Sequence, residues 1–303
     1  MNDAIAALAG IPLYRGVDPA RLLITRLGGL SNRSFRVAGP TGVHVLRLAG
    51  VAADSIVDRR AEAANARAAA AARIGPEVLY ADPGNGVLLT RFIDGVTMSR
   101  EGFGEPGAVT RAALALHRLH ATGARFAGRL DPFAALTGYV AEIERRGAAL
   151  PDGCAAALVE AAPVGPALAA HPPAPAPCHV DPVPENFIDA GAAMYLIDYE
   201  FAAMADPMWD VAYFAVEAEI DATREAALLD AYFDGPPPAT MAARVALYKP
   251  VCDLVSATWA ALMSTRGHRA DAPMADAGAR ITRCRDALAT PAFRRHLDRV
   301  AEA

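Results

Sequence analysis

Apolar and polar residues alternate in short runs from residue 22 to residue 93, which is the pattern of half-buried strands. The runs are LLITRL, SFRVA, VHVLRL, VLYA and VLLTRFI. GPTG separates the second run from the third and DPGNG the fourth from the fifth, and both segments are typical of tight turns. The first part of the chain is therefore predicted to form a small antiparallel sheet.

One helix is predicted between the third and fourth strands, in DSIVDRRAEAANARAAAAARIG. Alanine has the highest helix propensity of all residues, and it is the most frequent residue in this segment. Asp54 or Ser55 is expected to cap the first turn, and Gly75 followed by Pro76 is expected to end the helix. We expect this helix to pack on the sheet.

After about residue 95 the apolar positions recur at helical spacing, which predicts a mostly helical second part. EPGAVTRAALALHRLHATG is one such helix. Asp206 with Pro207, and Thr290 with Pro291, each combine an N-cap residue with a proline at the first helical position. They predict the starts of two further helices. HPPAPAP is expected to be extended, because its prolines cannot continue a helix.

Composition narrows the class of protein. The 303 residues carry a formal net charge of −5 and a pI of about 5.8, so no clustered basic surface for nucleic acid is indicated. The N-terminal sequence lacks the basic region and cleavage site of a secretory signal, and no apolar run is long enough to predict a membrane span. We expect a cytoplasmic protein that binds neither nucleic acid nor membrane.

Cysteine and histidine spacing predicts neither a zinc site nor a disulfide framework. The four cysteines stand far apart and form no C-x-x-C pair, which fits reduced thiols. His117 and His120 lie on one predicted helix, but no third ligand with suitable spacing accompanies them. We therefore expect both histidines to pack and hydrogen-bond between helices.

The strongest chemical pattern lies in CHVDPVPENFIDAGAAMYLIDYE, which begins at Cys178. Phosphoryl transfer needs a carboxylate that orients the attacking hydroxyl and accepts its proton, and hard oxygen ligands for Mg²⁺. Asp181 and Asn186 have the spacing of a kinase catalytic loop, and Asp198 follows a predicted hairpin at the position of a metal-binding strand end. Asp181 is therefore predicted to be catalytic, and Asn186 and Asp198 to bind metal. His179 is expected to organise the loop by hydrogen bonding.

A second group of candidates lies near the start of the sheet, in RLGGLSNRSFRV. Small residues between two strands let backbone N–H groups approach phosphates, although this segment is neither a P-loop nor a G-x-G-x-x-G motif. In a kinase the next strand carries a cation that pairs with a helix glutamate, and Arg47 and Glu62 hold those positions here. The alternative for this pair is a surface arginine and a solvated glutamate. The nucleotide-binding candidates in this part are Gly29, Ser31, Asn32, Arg33, Arg47 and Glu62.

Together these segments resemble the choline/ethanolamine kinase-like branch of the aminoglycoside phosphotransferase superfamily. GGLSNRSFRV, VLRL, GPEVLYADPGNGVLLTRFIDG, LHRLH, HVDPVPENFI, IDYE and DPMWDVA carry the resemblance, which covers roughly residues 20–265. It implies an α+β, bilobal, protein-kinase-like fold with ATP between the lobes. We expect a nucleotide-binding lobe of antiparallel sheet and one helix over residues 1–92, and a helical lobe with the catalytic loop and acceptor pocket over residues 93–303.

The resemblance also implies roles for individual residues. The adenine ring would contact the backbone of the connecting segment at Arg91, Phe92 and Ile93. Asp181 would be the catalytic base, next to the two metal ligands already named. Asp210 would hold the catalytic loop in place, as the equivalent family aspartate does.

Two departures from the family bear on the acceptor. Val180 stands where members commonly carry asparagine, so the loop lacks a side-chain hydrogen-bonding group at that position. Choline kinases resemble one another in an aromatic cage for the quaternary ammonium, built partly from a W-x-x-W helix, where a cation over aromatic faces gains up to ~2 kcal/mol. Here Trp259 fills the first position and Leu262 the second. The acceptor-binding candidates are Glu200, Trp209, Tyr213, Glu217 and Trp259, with core packing as the alternative for the aromatic residues.

The sequence thus predicts an ATP- and Mg²⁺-dependent phosphotransferase that acts on the hydroxyl of a small molecule, with a choline- or ethanolamine-type amino alcohol as the first choice of acceptor. A kinase of an aminoglycoside-like or thiamine-like compound is one alternative. A non-catalytic, nucleotide-binding pseudokinase is another, since Val180 and Arg47 replace more usual polar and lysine residues. Assembly as a homodimer is left open.

Overall fold

The computed structural model describes residues 2–28, 32–50, 57–266 and 277–302. Strands are numbered in chain order as β1 (Leu23–Arg26), β2 (Arg33–Gly39), β3 (Gly42–Leu48), β4 (Val78–Asp82), β5 (Val87–Arg91), β6 (Val96–Thr97), β7 (Ala176–Cys178), β8 (Phe187–Asp189), β9 (Met194–Leu196) and β10 (Ala203–Ala205). Helices are α1 (Asn2–Ala9), α2 (Arg59–Ala71), α3 (Ala108–His120), α4 (Pro132–Arg145), α5 (Cys154–Ala161), α6 (Val164–Ala170), α7 (Met208–Glu217), α8 (Ala222–Phe233), α9 (Ala239–Thr265), α10 (Ala277–Leu288) and α11 (Pro291–Ala301).

The first part of the chain forms a five-stranded antiparallel sheet in the order β1-β2-β3-β5-β4. All five predicted strands are present, and both predicted turns join neighbouring strands as hairpins. One face of the sheet buries Phe35, Val37, Leu46 and Leu89 against α1, because alternate residues of a strand point to the same face. The small antiparallel sheet is confirmed.

Helix α2 begins later and ends earlier than the sequence predicts. Asp58 is its N-cap, and its carboxylate accepts hydrogen bonds from the backbone N–H groups of the first turn. Asp54 and Ser55, the predicted caps, lie outside the described residues. The helix ends at Ala71, because Arg73 takes a left-handed conformation (φ 59°) before Gly75 is reached.

Helix α2 contacts more than the sheet on which it was expected to pack. It lies against β4, but its buried residues Ala66 and Ala69 belong to the large apolar core of the helical part. Asn65 extends this contact with polar groups, since it accepts a hydrogen bond from the Ala127 N–H at 2.7 Å and donates to the Ala202 carbonyl at 2.6 Å. A helix of the first part is therefore fixed to the second.

The second part is helical, as predicted, around the long helix α9, which packs against α4, α7, α10 and α11. This part also contains two small sheets, in the orders β6-β8-β9 and β10-β7. The predicted hairpin after Asn186 is β8 and β9. The extended HPPAPAP segment ends in β7, which delivers the chain to His179. The predicted division at residue 92 stays a prediction.

Both predicted capping pairs occur at helix starts. The Thr290 hydroxyl accepts a hydrogen bond from the Phe293 N–H at 3.1 Å, with Pro291 in the first turn of α11. The Asp206 carboxylate accepts from the Met208 N–H at 2.9 Å, but α7 begins at Met208. Pro207 therefore lies at the N-cap, one residue before its predicted position.

The four cysteines, Cys154, Cys178, Cys252 and Cys284, all belong to the described part of the chain, are free thiols and have no exposed surface (0% each). Burial raises the pKa of each thiol, and in Cys284 it does so to about 12. Among the described residues, no helix is long and apolar enough to cross a membrane.

Candidate active site

A cavity of about 790 Å³ lies between the five-stranded sheet and the helical part and is lined by both. Most of the predicted site residues line it, although they come from segments more than 200 residues apart in the chain. These are Asn32, Arg47, Arg91, Phe92, Ile93, Asp181, Asn186, Asp198, Glu200, Trp209, Tyr213, Glu217 and Trp259. The predicted nucleotide, metal and acceptor groups therefore share one cleft.

The remaining candidates lie elsewhere. Gly29 and Ser31 are outside the described residues. Arg33 does not line the cavity, because its guanidinium pairs with Asp3 of α1 at 2.5 Å. His179 and Asp210 are fully buried behind the cavity wall (0% exposed), as expected of residues that support a loop.

Asp210 holds the start of the catalytic loop through the loop backbone. Its carboxylate accepts hydrogen bonds from the N–H groups of His179 at 2.6 Å and Val180 at 2.8 Å. The same carboxylate contacts the ring of His120 at 3.0 Å, and the other ring nitrogen of His120 contacts the Tyr232 hydroxyl at 2.8 Å. His120 therefore hydrogen-bonds between helices, as the sequence predicts.

Val180 adopts a left-handed backbone conformation, with φ 74°. This region is unfavourable for a β-branched residue and well tolerated by asparagine. Both backbone polar groups of Val180 are fixed: Asp210 accepts from its N–H, and its carbonyl accepts from the Trp209 indole N–H at 2.9 Å. Val180 thus has a backbone conformation that asparagine, the usual residue at this position in the family, would adopt at a lower conformational energy.

The end of the loop is tied to the hairpin that carries Asp198. The Asn186 amide donates to the Asp181 carbonyl at 2.9 Å, and the Asn186 carbonyl accepts from the Ile197 N–H at 2.9 Å. The His179 ring contacts the Ile197 carbonyl at 2.8 Å. Asp181, Asn186 and Asp198 are therefore positioned relative to one another by main-chain hydrogen bonds.

The carboxyl group of Asp181 lies in a buried, negatively charged environment. Burial raises its pKa to about 8, and the charges of Glu217, Glu200 and Asp198 add to the increase. A hydrogen bond with Tyr213 acts in the opposite direction. Such a carboxyl group can accept a proton near neutral pH, which suits a general base.

The predicted pairing of Arg47 with Glu62 is confirmed, and Asp198 joins it. Arg47 Nη1 donates to a Glu62 carboxylate oxygen and, at 3.0 Å, to Asp198 Oδ1. Burial lowers the pKa of Arg47, but the bond to Glu62 and the neighbouring carboxylates raise it more, so the guanidinium stays charged. This cation on β3 therefore connects the sheet, α2 and the predicted metal ligand.

Arg59 is a member of the site that the sequence reasoning missed. Its Nη1 contacts Glu62 Oε2 at 3.0 Å and Glu200 Oε2 at 3.3 Å, and its Nη2 donates to Asn32 Oδ1 at 3.3 Å. The Asn32 amide also donates to Glu200, at 3.0 Å. Arg59 precedes Glu62 by one helical turn, which is the only local signal of this role. Glu200, an acceptor-binding candidate, is thus engaged at the nucleotide side of the cavity.

The connecting segment runs from β5 along the cavity. The Arg91 side chain pairs with Glu77 on the surface, with 2.7 Å between Nη2 and Oε2, and so turns away from the interior. The backbone N–H groups of Arg91 and Phe92 donate to the carbonyls of Glu77 and Val43, at 2.9 Å and 3.1 Å. The N–H groups of Arg91 and Phe92 are thus used within the fold, and contact of this segment with an adenine ring stays a prediction.

Aromatic side chains form one wall of the cavity near Asp181. The Trp259 ring lies 5.3 Å from the ring of Tyr139 and 5.5 Å from that of Phe201, measured between centroids. Trp209 and Tyr213 form a second pair with centroids 5.6 Å apart.

The sequence reasoning missed Tyr139 and Phe201, because neither belongs to a motif. Leu262, in the second W-x-x-W position, is buried in the core (2% exposed).

Glu217 lies beside this aromatic wall, but its charge is already paired. Both of its carboxylate oxygens accept hydrogen bonds from Arg280 of α10, at 2.8 Å each. The Ser256 hydroxyl donates to Oε1 at 3.1 Å, and the Tyr213 hydroxyl lies 3.2 Å from that of Ser256. Arg280, which also lines the cavity, was not predicted.

Comparison with known proteins places the chain in a family. A model of the phosphotransferase enzyme family matches residues 23–248. Protein LicA of Haemophilus influenzae is 26% identical over 212 residues, a match that covers 68% of this chain and 61% of that protein. The chain thus spans less than two thirds of this relative's length.

Solved structures show the same fold over the whole chain. A choline/ethanolamine kinase family protein from Mesorhizobium loti is 39% identical, with a TM-score of 0.88 over 100% of this chain and 99% of that one. The choline kinase LicA from Streptococcus pneumoniae is 22% identical, with a TM-score of 0.77 over 89% of this chain and 94% of that one. The predicted bilobal, kinase-like α+β fold is confirmed, and the chain belongs to the phosphotransferase enzyme family, in its choline/ethanolamine kinase-like branch.

Proposed function

We propose that the protein is an ATP- and Mg²⁺-dependent kinase that phosphorylates the hydroxyl of a small amino alcohol of the choline or ethanolamine type. One observation carries this proposal: Asp181 and the aromatic wall formed by Tyr139, Phe201 and Trp259 line the same cavity. Aromatic faces attract an ammonium group, and a carboxylate attracts a hydroxyl proton. A molecule that carries both groups a few bonds apart fits both features.

Asp181 orients the acceptor hydroxyl and accepts its proton. The raised pKa of this carboxyl group, about 8, makes it a stronger base than an exposed aspartate. Its backbone is fixed by Asn186, so the carboxylate enters the cavity from a rigid loop. Rigid placement of the base lowers the entropy cost of reaching a reactive geometry.

The residues present fit Mg²⁺ and a nucleotide triphosphate. The Asn186 amide uses its N–H to bind the Asp181 carbonyl, which leaves its oxygen for a cation. With the carboxylate of Asp198, it gives the hard oxygen ligands that Mg²⁺ prefers. Arg47 lines the cavity, and its buried Nε–H has no acceptor among the described residues, so a donor remains for a phosphate oxygen. Bound ATP with Mg²⁺ would supply the phosphoryl group and the charge that stabilises its transfer.

The relatives support the acceptor class. The Mesorhizobium loti protein is described as a choline/ethanolamine kinase family protein, and it is 39% identical over the whole chain. The paired charges of Glu217 and Arg280 favour a second candidate, a kinase of a hydroxyl compound that is less cationic than choline. The aromatic wall is the reason for placing the amino alcohol first.

A screen of acceptors tests the proposal. Purified full-length protein is incubated with ATP, Mg²⁺ and one acceptor at a time, from choline and ethanolamine to thiamine and kanamycin, while ADP release and product mass are measured. For an amino alcohol we expect stoichiometric ADP and a product ~80 Da heavier than the acceptor, which is the mass added by one phosphoryl group. Nucleotide binding with no product from any acceptor would establish the pseudokinase alternative.

A cytoplasmic location is also part of the proposal. Four buried, unpaired thiols support a reducing cytoplasm, where disulfides are rare. Assembly as a homodimer stays a prediction, and light scattering of the purified protein would test it.

A further inference from the structure

The ion pair between Glu217 and Arg280 lies within the cavity wall, next to the aromatic residues. Both residues line the cavity, and they are only 6% and 7% exposed. The contact is bidentate, with two N–H groups of Arg280 donating to two oxygens of Glu217 at 2.8 Å. Bidentate arginine–carboxylate pairs are the strongest and best oriented of ion pairs.

Arg280 is held in this position from its other side as well. Its Nη1 lies 3.4 Å from Asp253 Oδ1, and Asp253 also pairs with Arg283. Arg280 therefore lies between a carboxylate of α7 and one of α9, and moving it away would leave the buried carboxylate of Glu217 without its bidentate partner. Its charge is a permanent part of the acceptor end of the cavity.

The ion pair between Glu217 and Arg280 changes the net charge that a bound cation would meet at the acceptor end of the cavity. Without Arg280, the acceptor end would carry the carboxylates of Asp181 and Glu217 beside the aromatic wall, and among the described cations Glu217 would keep only a long contact, 3.9 Å, with Arg100. With Arg280 present, the charge of Glu217 is neutralised, and an ammonium group at the wall would also lie near a guanidinium. A charge of the same sign at short distance inside a protein disfavours a bound cation when it is not screened.

Building on the proposed acceptor pocket, we propose that Arg280 is a specificity-determining residue: by occupying Glu217 it weakens the preference of the pocket for fully cationic acceptors over neutral ones of the same shape. The opposite role would be that Arg280 merely orients Glu217 for direct contact with an ammonium group. The two roles predict different effects when both residues are made neutral: an unchanged preference for choline under the first role and a loss of that preference under the second.

The test compares choline with 3,3-dimethylbutan-1-ol, a neutral molecule of the same shape. Binding of each to the full-length protein is followed by tryptophan fluorescence, because the chain has two tryptophans, Trp209 and Trp259, and both line this cavity. The quantity measured is the ratio of the two dissociation constants. It reports charge selectivity independently of turnover.

We expect Arg280→Gln to raise the preference for choline about tenfold, because it frees the carboxylate of Glu217. Glu217→Gln should lower the preference by a similar factor, since the guanidinium then keeps only its longer contact with Asp253. The double variant Glu217→Gln/Arg280→Gln should keep the wild-type ratio to within about twofold, because the removed charges cancel. Arg283→Gln is the control: it changes a half-exposed arginine that also pairs with Asp253 but does not line the cavity.

The double variant decides the question, because it leaves no unpaired charge and is the variant that folds most readily. A strong loss of choline preference in it would show that Glu217 binds the ammonium directly, and the inference would be wrong. An unchanged ratio in Arg280→Gln, or no choline binding by any variant, would also overturn it. Failure of wild-type protein to phosphorylate choline would instead refute the proposed acceptor, while the binding ratios would still stand.

Discussion

The two ends of the cavity are built in different ways. The catalytic end comes from one continuous stretch, residues 178–210, whose shape is fixed by hydrogen bonds to main-chain groups, with Asp210 bonded to two backbone N–H groups of the loop. The acceptor end is assembled from side chains on separate helices, among them Tyr139, Trp259 and Arg280. Main-chain hydrogen bonds survive most substitutions, whereas a wall of side chains changes with each one. The same chemistry can therefore be kept while the acceptor varies.

The largest expected effect is at the catalytic end, in Asp181→Asn. The amide cannot accept the hydroxyl proton, so turnover should fall by about 10²- to 10⁴-fold, while nucleotide affinity should change little. ADP release measures turnover, and isothermal titration measures binding. Asp152→Asn, on an exposed loop, is the control. Turnover that survives in Asp181→Asn would remove the residue from its proposed role.

Asp210→Ala tests whether the loop depends on its main-chain hydrogen bonds. The buried N–H group of His179 and the part-buried N–H group of Val180 would lose their acceptor, so we expect the free energy of unfolding to fall by about 3 kcal/mol and turnover to fall with it. Urea denaturation measures the first quantity. Asp230→Ala, which removes an exposed carboxylate on α8, should change both very little. Equal effects from the two variants would contradict a special role for Asp210.

At the acceptor end, Tyr139→Leu should act on the acceptor alone. Loss of an aromatic face costs a bound cation about 1–2 kcal/mol, so KM for the amino alcohol should rise about tenfold with kcat and the KM for ATP nearly unchanged. Tyr80→Leu, in β4 and away from the cavity, is the matched control. If kcat falls as far as KM rises, the two ends are coupled and the contrast between them fails.

The smallest expected effect is a gain in stability from Val180→Asn. Asparagine adopts the left-handed conformation (φ 74°) at lower cost than a β-branched residue, so the free energy of unfolding should increase by about 1 kcal/mol. Thermal melting measures the change. Val159→Asn, at an exposed helix position, should give no such gain. A lower melting temperature for Val180→Asn would show that the valine side chain contributes packing that outweighs the strain.

The sequence identifies residues that come together at the catalytic end, because these residues follow one another in a fixed order. Asp181, Asn186 and Asp198 can be read from spacing alone, and the strands can be read from alternation. It predicts the acceptor end poorly, because Tyr139, Phe201 and Arg280 come together only through helix packing, which leaves no local pattern.

Where several polar residues could cap the same helix or bind the same group, their spacing in the sequence does not show which of them does so. Asp58 caps α2 although Asp54 and Ser55 precede it, and Glu217 pairs with Arg280 although its place beside aromatic residues suggested an ammonium site. Its place in the sequence next to the predicted phosphate-binding turn made Arg33 a nucleotide-binding candidate, but its guanidinium pairs with Asp3 of α1. Each of these outcomes depends on a partner that lies far away in the sequence.

Because all four thiols are buried, alkylation of the cysteines can be used to detect local unfolding of the protein. A thiol reacts as the thiolate, and groups with no exposed surface and raised pKa values cannot meet an alkylating reagent in the folded protein. Alkylation of a cysteine therefore requires local unfolding around it, and the rate of alkylation depends on the population of the locally unfolded states. Cys178, the residue before His179, would report on the catalytic loop, and Cys252 on the middle of α9. Mass spectrometry of alkylated protein would then show which region opens first when a nucleotide or acceptor is added.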